Sequence, residues 1–164
     1  MKKSMQTMIA GLYLLSVGSL TLAEAGDLSA QDPWVREAPP MAKVLAAFML
    51  IENKGSINQQ IKAASSPDFE HVEIHKTVVE DGVAKMQRQA TVEIPAGGSL
   101  SFAPGSYHFM LISPLKPVHA DDQIEMLLSF ANGEQLKVEA KVRKVMEEVD
   151  NMQGMQHQSG MSTN

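Results

Sequence analysis

Beyond residue 25 the chain is a series of short apolar runs broken by turn residues, and the period of an amphipathic helix is nearly absent. Asp81-Gly82 and Asn132-Gly133 each stand between two such runs, and these dipeptides are among the strongest short-range hairpin signals. Turn signals recur roughly every 8–12 residues, which is typical of an antiparallel sandwich or barrel. The sequence therefore predicts an all-β fold whose body ends near Val145.

The apolar runs between the turns are the predicted strands, and no internal repeat accompanies them. They cover residues 34–35, 44–51, 71–75, 83–92, 100–102, 107–112, 124–130 and 136–145. A chain of 164 residues suits one globular domain with little room for a second. We expect that domain to occupy residues 26–146 and a tail to occupy residues 147–164.

Residues 1–25 have the layout of a secretory signal peptide. Lys2 and Lys3 form a positive start, an apolar run follows over 8–23, and Ala23-Glu24-Ala25 resembles a cleavage site. The apolar run is shorter than the roughly 20 residues that span a bilayer. We therefore expect Sec-type export with cleavage near Ala25, and a mature chain in the periplasm without a membrane anchor.

Composition excludes several classes of chemistry. The chain contains no cysteine, which argues against disulfides, thiolate metal sites, thiol catalysis, a type 1 blue-copper centre and a lipoprotein anchor. The net charge of -5 argues against a nucleic-acid partner. No nucleophile–base constellation and no paired carboxylates appear, so we expect a binding protein and not an enzyme. The chain also contains 12 methionines, an unusually high number that needs an explanation.

His108 and Met110 lie two residues apart in a predicted strand, so they share one face about 7 Å apart. The hairpin at Asp81-Gly82 supplies a second such pair. A two-residue turn there makes paired residue numbers sum to 163, which places Met86 opposite Thr77. His75 is then diagonal to Met86 on the same face, within reach of long side chains.

Two imidazoles and two thioethers form a donor set that suits copper. Thioethers favour Cu(I), and imidazole binds copper in either oxidation state. The alternative is that Met86 and Met110 fill gaps in the core, as most methionines do, and that the histidines are ordinary surface residues. The residues alone leave both interpretations open.

The pattern His75, ten residues, Met86, twenty-one residues, His108, one residue, Met110 resembles the metal motif of the periplasmic copper chaperones called PCu(A)C. The resemblance spans about residues 30–145. Similar flanking stretches lie at residues 32–40 (DPWVREAPP), 42–47 (AKVLAA), 92–98 (VEIPAGG) and 104–111 (PGSYHFML). Lys76 and Thr77 depart from the family, because many members carry a further methionine there.

The resemblance implies a cupredoxin-like Greek-key β-sandwich or barrel with an exposed Cu(I) site made by His75, Met86, His108 and Met110. It also implies delivery of copper towards the binuclear centre of respiratory oxidase, with an oxidase subunit or a Sco-type thiol protein as acceptor. We expect such a carrier to act as a monomer. A copper-buffering or resistance protein would use the same ligands without a dedicated acceptor, and a purely structural adhesion sandwich would leave their spacing unexplained.

Four other residues could belong to the site. Glu73 could orient His75 as a hydrogen-bond acceptor. His71 shares the face of His75, but it lies further from Met86 and is predicted to be a solvated surface residue. His119 is predicted to be structural or exposed. Met41 could partly replace the thioether that the family has near residue 77.

The last residues, 147–164, are polar, rich in Gln, Met, Ser and Gly, and predicted to be a flexible tail. Met/His tracts of this kind can bind metal without a fold. We therefore expect a second, looser copper site, for Cu(I) or Cu(II), made by Met152, Met155, His157 and Met161. The alternative is a solubilising tail whose methionines have no role.

Overall fold

The computed structural model describes residues 26–144, and this part of the chain is built from β-strands. No helix able to cross a membrane occurs within these residues. The strands are β1 (Leu28–Arg36), β2 (Val44–Asn53), β3 (Gln59–Ser65), β4 (Phe69–Glu80), β5 (Val83–Gln89), β6 (Val92–Ile94), β7 (Ser99–Phe102), β8 (Tyr107–Pro114), β9 (Gln123–Phe130) and β10 (Gln135–Arg143).

The strands form one sheet that closes into a barrel. Pairing runs from β4 through β8, β2, β1, β10, β9 and β3, and the Ala64–Val72 pair brings β3 back to β4. Strand β5 extends the sheet beyond β4, while β6 pairs with β3 and β7 with β2. Most pairs are antiparallel, and β1 with β10 is a parallel exception. The predicted all-β fold is confirmed.

Two strand predictions need correction. The return strand predicted over residues 83–92 is divided, because β5 ends at Gln89 and Val92 begins β6, which pairs with β3 instead of β4. Strand β3 was not predicted at all. Its sequence QQIKAAS has Ile61 as its one large apolar residue, so alternation of apolar and polar residues is too weak to mark it.

The core lies inside the barrel, where apolar side chains from all sides meet. Phe102 and Phe109 stack there with ring centroids 4.4 Å apart. Strand residues alternate between the two faces, so the neighbours of core residues point outwards. On β4 and β8, burial of Ile74 and Phe109 therefore turns His75 and His108 to the outer face.

The Asp81-Gly82 turn has the geometry that the sequence predicts. Both residues have positive φ, 53° and 77°, as a two-residue type I′ hairpin requires. Glu80 pairs with Val83 and Thr77 pairs with Met86, so the predicted register is confirmed. The Asn132-Gly133 hairpin likewise joins two antiparallel strands, β9 and β10.

At a bulge in β1, an ion pair links this first strand to the last strand, β10. The register of β1 with β2 shifts between Gln31 and Trp34, and Asp32 has a positive φ of 45°. The Asp32 carboxylate accepts hydrogen bonds from both terminal nitrogens of Arg143, the last residue of β10. These bonds hold the pKa of Asp32 below its ordinary value of 3.8, against the opposing effect of desolvation.

We expect Asp32→Asn to lower the free energy of unfolding at about pH 7 by about 0.2–1 kcal/mol, since exposed pairs are screened by solvent. The pKa of Asp32 is lower in the folded than in the unfolded chain. The carboxylate therefore stabilises the fold above the unfolded value, and this contribution is lost as the pH falls through the folded value.

Urea denaturation of both proteins at about pH 7 and about pH 3 measures the difference. The gap should shrink at the lower pH. Asparagine tolerates a positive φ, so the bulge itself is preserved in the variant. An equal gap at both pH values would show that the ion pair does not stabilise the barrel.

Candidate metal centre

The pairing of β4 with β8 brings two histidines together on the outer face. His75 lies directly opposite His108, and their ring centroids are 6.0 Å apart. In the same register Glu73 lies opposite Met110, so Met110 is diagonal to His75 and two residues from His108. The cross-strand pairing thus unites residues that are 33 positions apart in the chain.

Strand β5 adds the second thioether. Met86 pairs with Thr77, which is two residues beyond His75 on the same face. We call His75, Met86, His108 and Met110 the His–Met cluster. Its members differ in exposure: Met86 is 65% exposed, whereas His108 is buried at 5%.

A hydrogen bond fixes the orientation of His108. Its Nδ1–H donates to the backbone carbonyl oxygen of Ser106 at 3.1 Å. The proton on Nδ1 leaves the lone pair of Nε2 available in the neutral ring. Nε2 is buried, and it has no hydrogen-bond partner among the described residues.

A carboxylate orients His75 in the same way. Its Nε2–H donates to Glu73 Oε2 at 2.8 Å, and Nδ1 is buried without a partner within residues 26–144. Arg88, opposite His75 on β5, places its Nε 3.5 Å from the other Glu73 oxygen. The hydrogen bond from His75 lowers the pKa of Glu73, with Arg88 adding to the effect and desolvation opposing it.

The cluster therefore presents two imidazole lone pairs beside two thioethers. Metal-binding histidines commonly donate their other ring N–H to a carboxylate or a carbonyl, and both histidines here do so. In residues 26–144, no three side chains of the His, Cys, Asp or Glu type come together as a metal site would require. The donors available here are neutral and soft, which favours Cu(I) over Ca²⁺, Mg²⁺ or Zn²⁺.

A shallow groove of about 440 Å³ opens beside the cluster, and we call it the cluster groove. Phe48 and Ala46 of β2 line it together with His108, Met110 and Met86. The Phe48 ring is 6.5 Å from the His108 ring and 4.6 Å from the Trp34 ring, so aromatic rings continue outwards from the cluster across β2 to β1. The other lining residues are Arg36, Glu37, Ala38, Pro39, Val44, Leu45, Thr77, Pro104 and Gly105.

The remaining candidates lie outside the cluster. His71 is exposed and pairs with Ile112, as predicted for a surface residue. The His119 side chain is 67% exposed and lies near Asp122, in agreement with its prediction. Met41 is 85% exposed and lines a neighbouring crevice instead of the cluster groove.

The predictions for both ends of the chain concern residues outside the part that the structure describes. They are the signal peptide over residues 1–25 and the tail copper site at Met152, Met155, His157 and Met161.

Sequence reasoning missed three contributors to the site. Arg88 could have been predicted, because the numbers of paired residues in the β4–β5 hairpin sum to 163, which pairs Arg88 with His75. The carbonyl of Ser106 has no sequence signal, since any residue could supply it. Phe48 was predicted only as part of a buried strand, and its position beside His108 depends on the pairing of β2 with β8.

Comparison with known sequences identifies a family. A family model described as "Putative lipoprotein LpqE-like" matches residues 28–142. A putative lipoprotein of Leifsonia xyli subsp. xyli is 30% identical over 132 residues, covering 80% of this chain and 78% of the relative. An uncharacterized protein of Rickettsia prowazekii is 30% identical over 98 residues, covering 59% of this chain and 54% of the relative. The chain thus spans about half the length of the Rickettsia protein.

Solved structures with a similar fold are copper-binding domains. The copper-bound PCuAC domain from PmoF2 aligns with a TM-score of 0.62 and 22% identity, covering 73% of this chain and 94% of that domain. The solution structure of CuI-DR1885 from Deinococcus radiodurans aligns with a TM-score of 0.57 and 26% identity, covering 71% of this chain and 78% of that protein. The chain therefore belongs to the LpqE-like family, and its barrel has the fold of PCuAC copper-binding domains.

Proposed function

We propose that this protein is an exported copper chaperone that carries Cu(I) on His75, Met86, His108 and Met110. One observation carries the proposal: His75 and His108 lie side by side, each with one ring N–H bonded to an outer acceptor and the other nitrogen buried and unpartnered within residues 26–144. Buried polar atoms usually have partners, and a metal ion bound by both imidazoles would supply one to each of these nitrogens. The adjacent thioethers favour a soft ion.

The composition of the donor set suits a carrier better than a permanent site. All four donors are neutral, and the nearest carboxylate, Glu73, bonds to His75 and lies close to Arg88. Thiolate is a softer and more strongly binding ligand for Cu(I) than thioether. Copper can therefore pass from this site to a thiol acceptor, while the exposed side chain of Met86 gives that acceptor access.

The similar proteins support both the cargo and the location. Of the two aligned structures, one is a copper-bound PCuAC domain and the other is the Cu(I) form of DR1885. The descriptions of the matched family and of the Leifsonia relative name lipoproteins, which are exported. With the signal-like residues 1–25, they support delivery in the periplasm. The acceptor we propose is a copper-accepting oxidase subunit or a Sco-type thiol protein.

Loss of either thioether tests the oxidation state of the cargo. We expect Met86→Ala and Met110→Ala each to weaken Cu(I) binding by at least about tenfold. Loss of a residue that only supports a metal ligand already costs about 10–100-fold in affinity, so loss of a ligand itself should cost no less. Cu(II) binding should fall much less, because the two imidazoles remain for the harder ion. Competition with chelators specific for each oxidation state measures both affinities.

Val83→Ala is the matched control, because Val83 is an exposed side chain on the same strand as Met86 but one that points to the other face. It should leave both affinities unchanged. Unchanged Cu(I) affinity in both methionine variants would disprove the four-donor site.

We propose further that the tail is an intake arm that binds copper through Met152, Met155, His157 and Met161. A chain of about 18 residues has a reach of roughly 20–25 Å if it is unstructured, comparable to the width of a small domain. Tethering gives such ligands an effective concentration on the order of millimolar near the body site. A copper ion could then pass to the His–Met cluster without dissociating into solution.

Removal of residues 147–164 should reduce anaerobic Cu(I) stoichiometry from two equivalents to one. It should also slow loading at limiting copper, while the affinity of the His–Met cluster stays the same because its ligands are untouched. Stopped-flow loading and chelator competition on the full and shortened proteins measure these quantities. Equal stoichiometry and equal loading rates would remove the tail from the mechanism.

A deletion strain separates delivery from buffering, which would use the same ligands. For a chaperone we expect loss of oxidase activity that added copper restores, since the acceptor is intact and lacks only its metal. Oxidase activity in membranes, measured with and without copper supplementation, reports the outcome. Copper sensitivity with normal oxidase activity would instead identify a buffering protein.

A further inference from the structure

Strand β5, which carries Met86, forms an edge of the sheet. Among residues 26–144 it pairs only with β4, because β3 meets β4 at Val72 and then pairs through residues 59–61 with β6. The β4–β5 hairpin therefore extends away from the barrel with one side of β5 uncovered. Such an edge is a template for a further strand, since its outward N–H and C=O groups have no partner within the sheet.

The register of the hairpin determines which backbone groups of β5 face the uncovered side. In a type I′ turn of two residues the flanking pair, Glu80 with Val83, is hydrogen-bonded, and bonded and non-bonded pairs then alternate along the ladder. Met86 and Thr77 thus form a non-bonded pair. The Thr77 amide accordingly donates to the Ser106 carbonyl, on the other side of β4, at 3.1 Å.

Three residues of β5 therefore direct their backbone N–H and C=O groups outwards, namely Ala84, Met86 and Arg88. Their side chains lie on the face that carries the His–Met cluster, because Arg88 pairs with His75. A strand added at this edge would place one residue on the same face about 5 Å from Met86, measured between Cβ atoms. The edge thus gives access to the exposed donor of the cluster.

The side chains around Met86 indicate what the added strand would contain. Val79 and Ala84 pair with each other beside Met86, and all three side chains are exposed, so they form an apolar patch. Arg88 lies on the other side of Met86, and its side chain is 71% exposed. A complementary segment has an acidic residue beside Arg88, a cysteine beside Met86 and an apolar residue beside Ala84.

Charge favours such a segment over a second copy of this chain. Strand β5 carries Lys85 and Arg88 and no acidic residue, so pairing of two β5 strands would bring cations together. The net charge of -5 on each chain would add to the repulsion. The Arg88 contact with Glu73 is made by Nε, which leaves the terminal N–H groups of the guanidinium for a carboxylate of the partner.

We propose that the copper acceptor adds an extended segment to the uncovered edge of β5, with its cysteine beside Met86 and an acidic residue beside Arg88. In this β-strand addition, backbone hydrogen bonds supply affinity and the side-chain positions supply specificity. As the thiolate replaces the Met86 thioether on Cu(I), the thiol proton passes to solvent and no electron is transferred. The inference rests on the proposed function for its purpose, but the pairing itself needs no copper.

Hydrogen exchange of metal-free protein under reducing conditions tests the pairing. The probe is a synthetic peptide with the order Glu-Thr-Cys-Thr-Val between flanking threonines, which suits antiparallel addition. At up to about 1 mM it should slow exchange of the Ala84, Met86 and Arg88 amides by at least about tenfold. The Lys85 and Gln87 amides already bond to β4, so their exchange should change little.

Two controls separate strand pairing from loose association. Ala84→Pro removes one outward N–H and leaves the bonds between β4 and β5 in place, so it should weaken peptide binding, whereas Ala84→Thr keeps the N–H and should not. A peptide with Lys in place of Glu should protect the three amides less, because its charge then opposes that of Arg88.

Equal exchange with and without the peptide would overturn the proposal, as would equal binding by the two Ala84 variants. Protection that appears without peptide and grows with protein concentration would assign the edge to a second copy and would also overturn it. Because no copper is present, these outcomes do not depend on whether the chaperone function is right.

A second measurement joins the pairing to copper transfer. Ala84→Pro loaded with Cu(I) should pass its copper to the peptide at least about tenfold more slowly than Ala84→Thr, because docking raises the effective concentration of the thiol. Both variants should keep equal Cu(I) affinity in chelator competition, since no ligand is changed. Equal transfer rates would show that the acceptor does not enter along β5. Failure of the unmodified protein to bind Cu(I) would disprove the proposed function but leave the exchange result standing.

Discussion

The antiparallel register between β4 and β8 is the constraint on which the site depends. A shift of one residue in either strand would turn every side chain to the opposite face. Ile74 would then leave the core and His75 would enter it, while Phe109 and His108 would exchange places if β8 shifted. Burying one large apolar side chain is worth about 1.5–3 kcal/mol, so core packing alone strongly disfavours the shift.

A shift of two residues would preserve the faces, and other contacts oppose it. The Thr77 amide bonds to the Ser106 carbonyl at one end of the pair, and Phe69 is aligned with Pro114 at the other. The same register therefore buries the core and places His75 opposite His108.

Two buried ring nitrogens of the His–Met cluster are kept without a hydrogen-bond partner among the described residues, and this has a cost in free energy. A buried polar atom without a partner costs about 1–3 kcal/mol, and His75 Nδ1 and His108 Nε2 are two such atoms among the described residues. Rotation of either ring could relieve this cost only by breaking its bond to Glu73 or to the Ser106 carbonyl. The outer acceptors thus keep two lone pairs available, and an ion bound between them would gain part of its binding free energy by ending their isolation.

The parts of the fold and of the site that could be predicted from the sequence are those set by short-range patterns of turns and strands. Asp81-Gly82 specified a two-residue turn, and the turn alone placed Met86 opposite Thr77. His108 and Met110 needed only the alternation of a strand. The parallel pairing of β1 with β10 could not be predicted, because it joins residues about 107 positions apart without any turn between them. The groove depends on β1 and β8 both lying beside β2, so its lining could not be foreseen either.

The four side chains of the His–Met cluster differ in exposure, and this difference would set the order in which an acceptor replaces them as ligands. Met86 is largely exposed on β5 at the end of the sheet, whereas His108 is buried between Phe48 and His75. Among the described residues, the side of Met86 and the groove is the open one, so an incoming thiolate would approach an ion there from that side. Thioether bonds would be replaced first, and the bond to His108 would break last. A carrier built in this way would hold its cargo by the buried imidazole until the acceptor had supplied new ligands, so the ion would not need to pass through water.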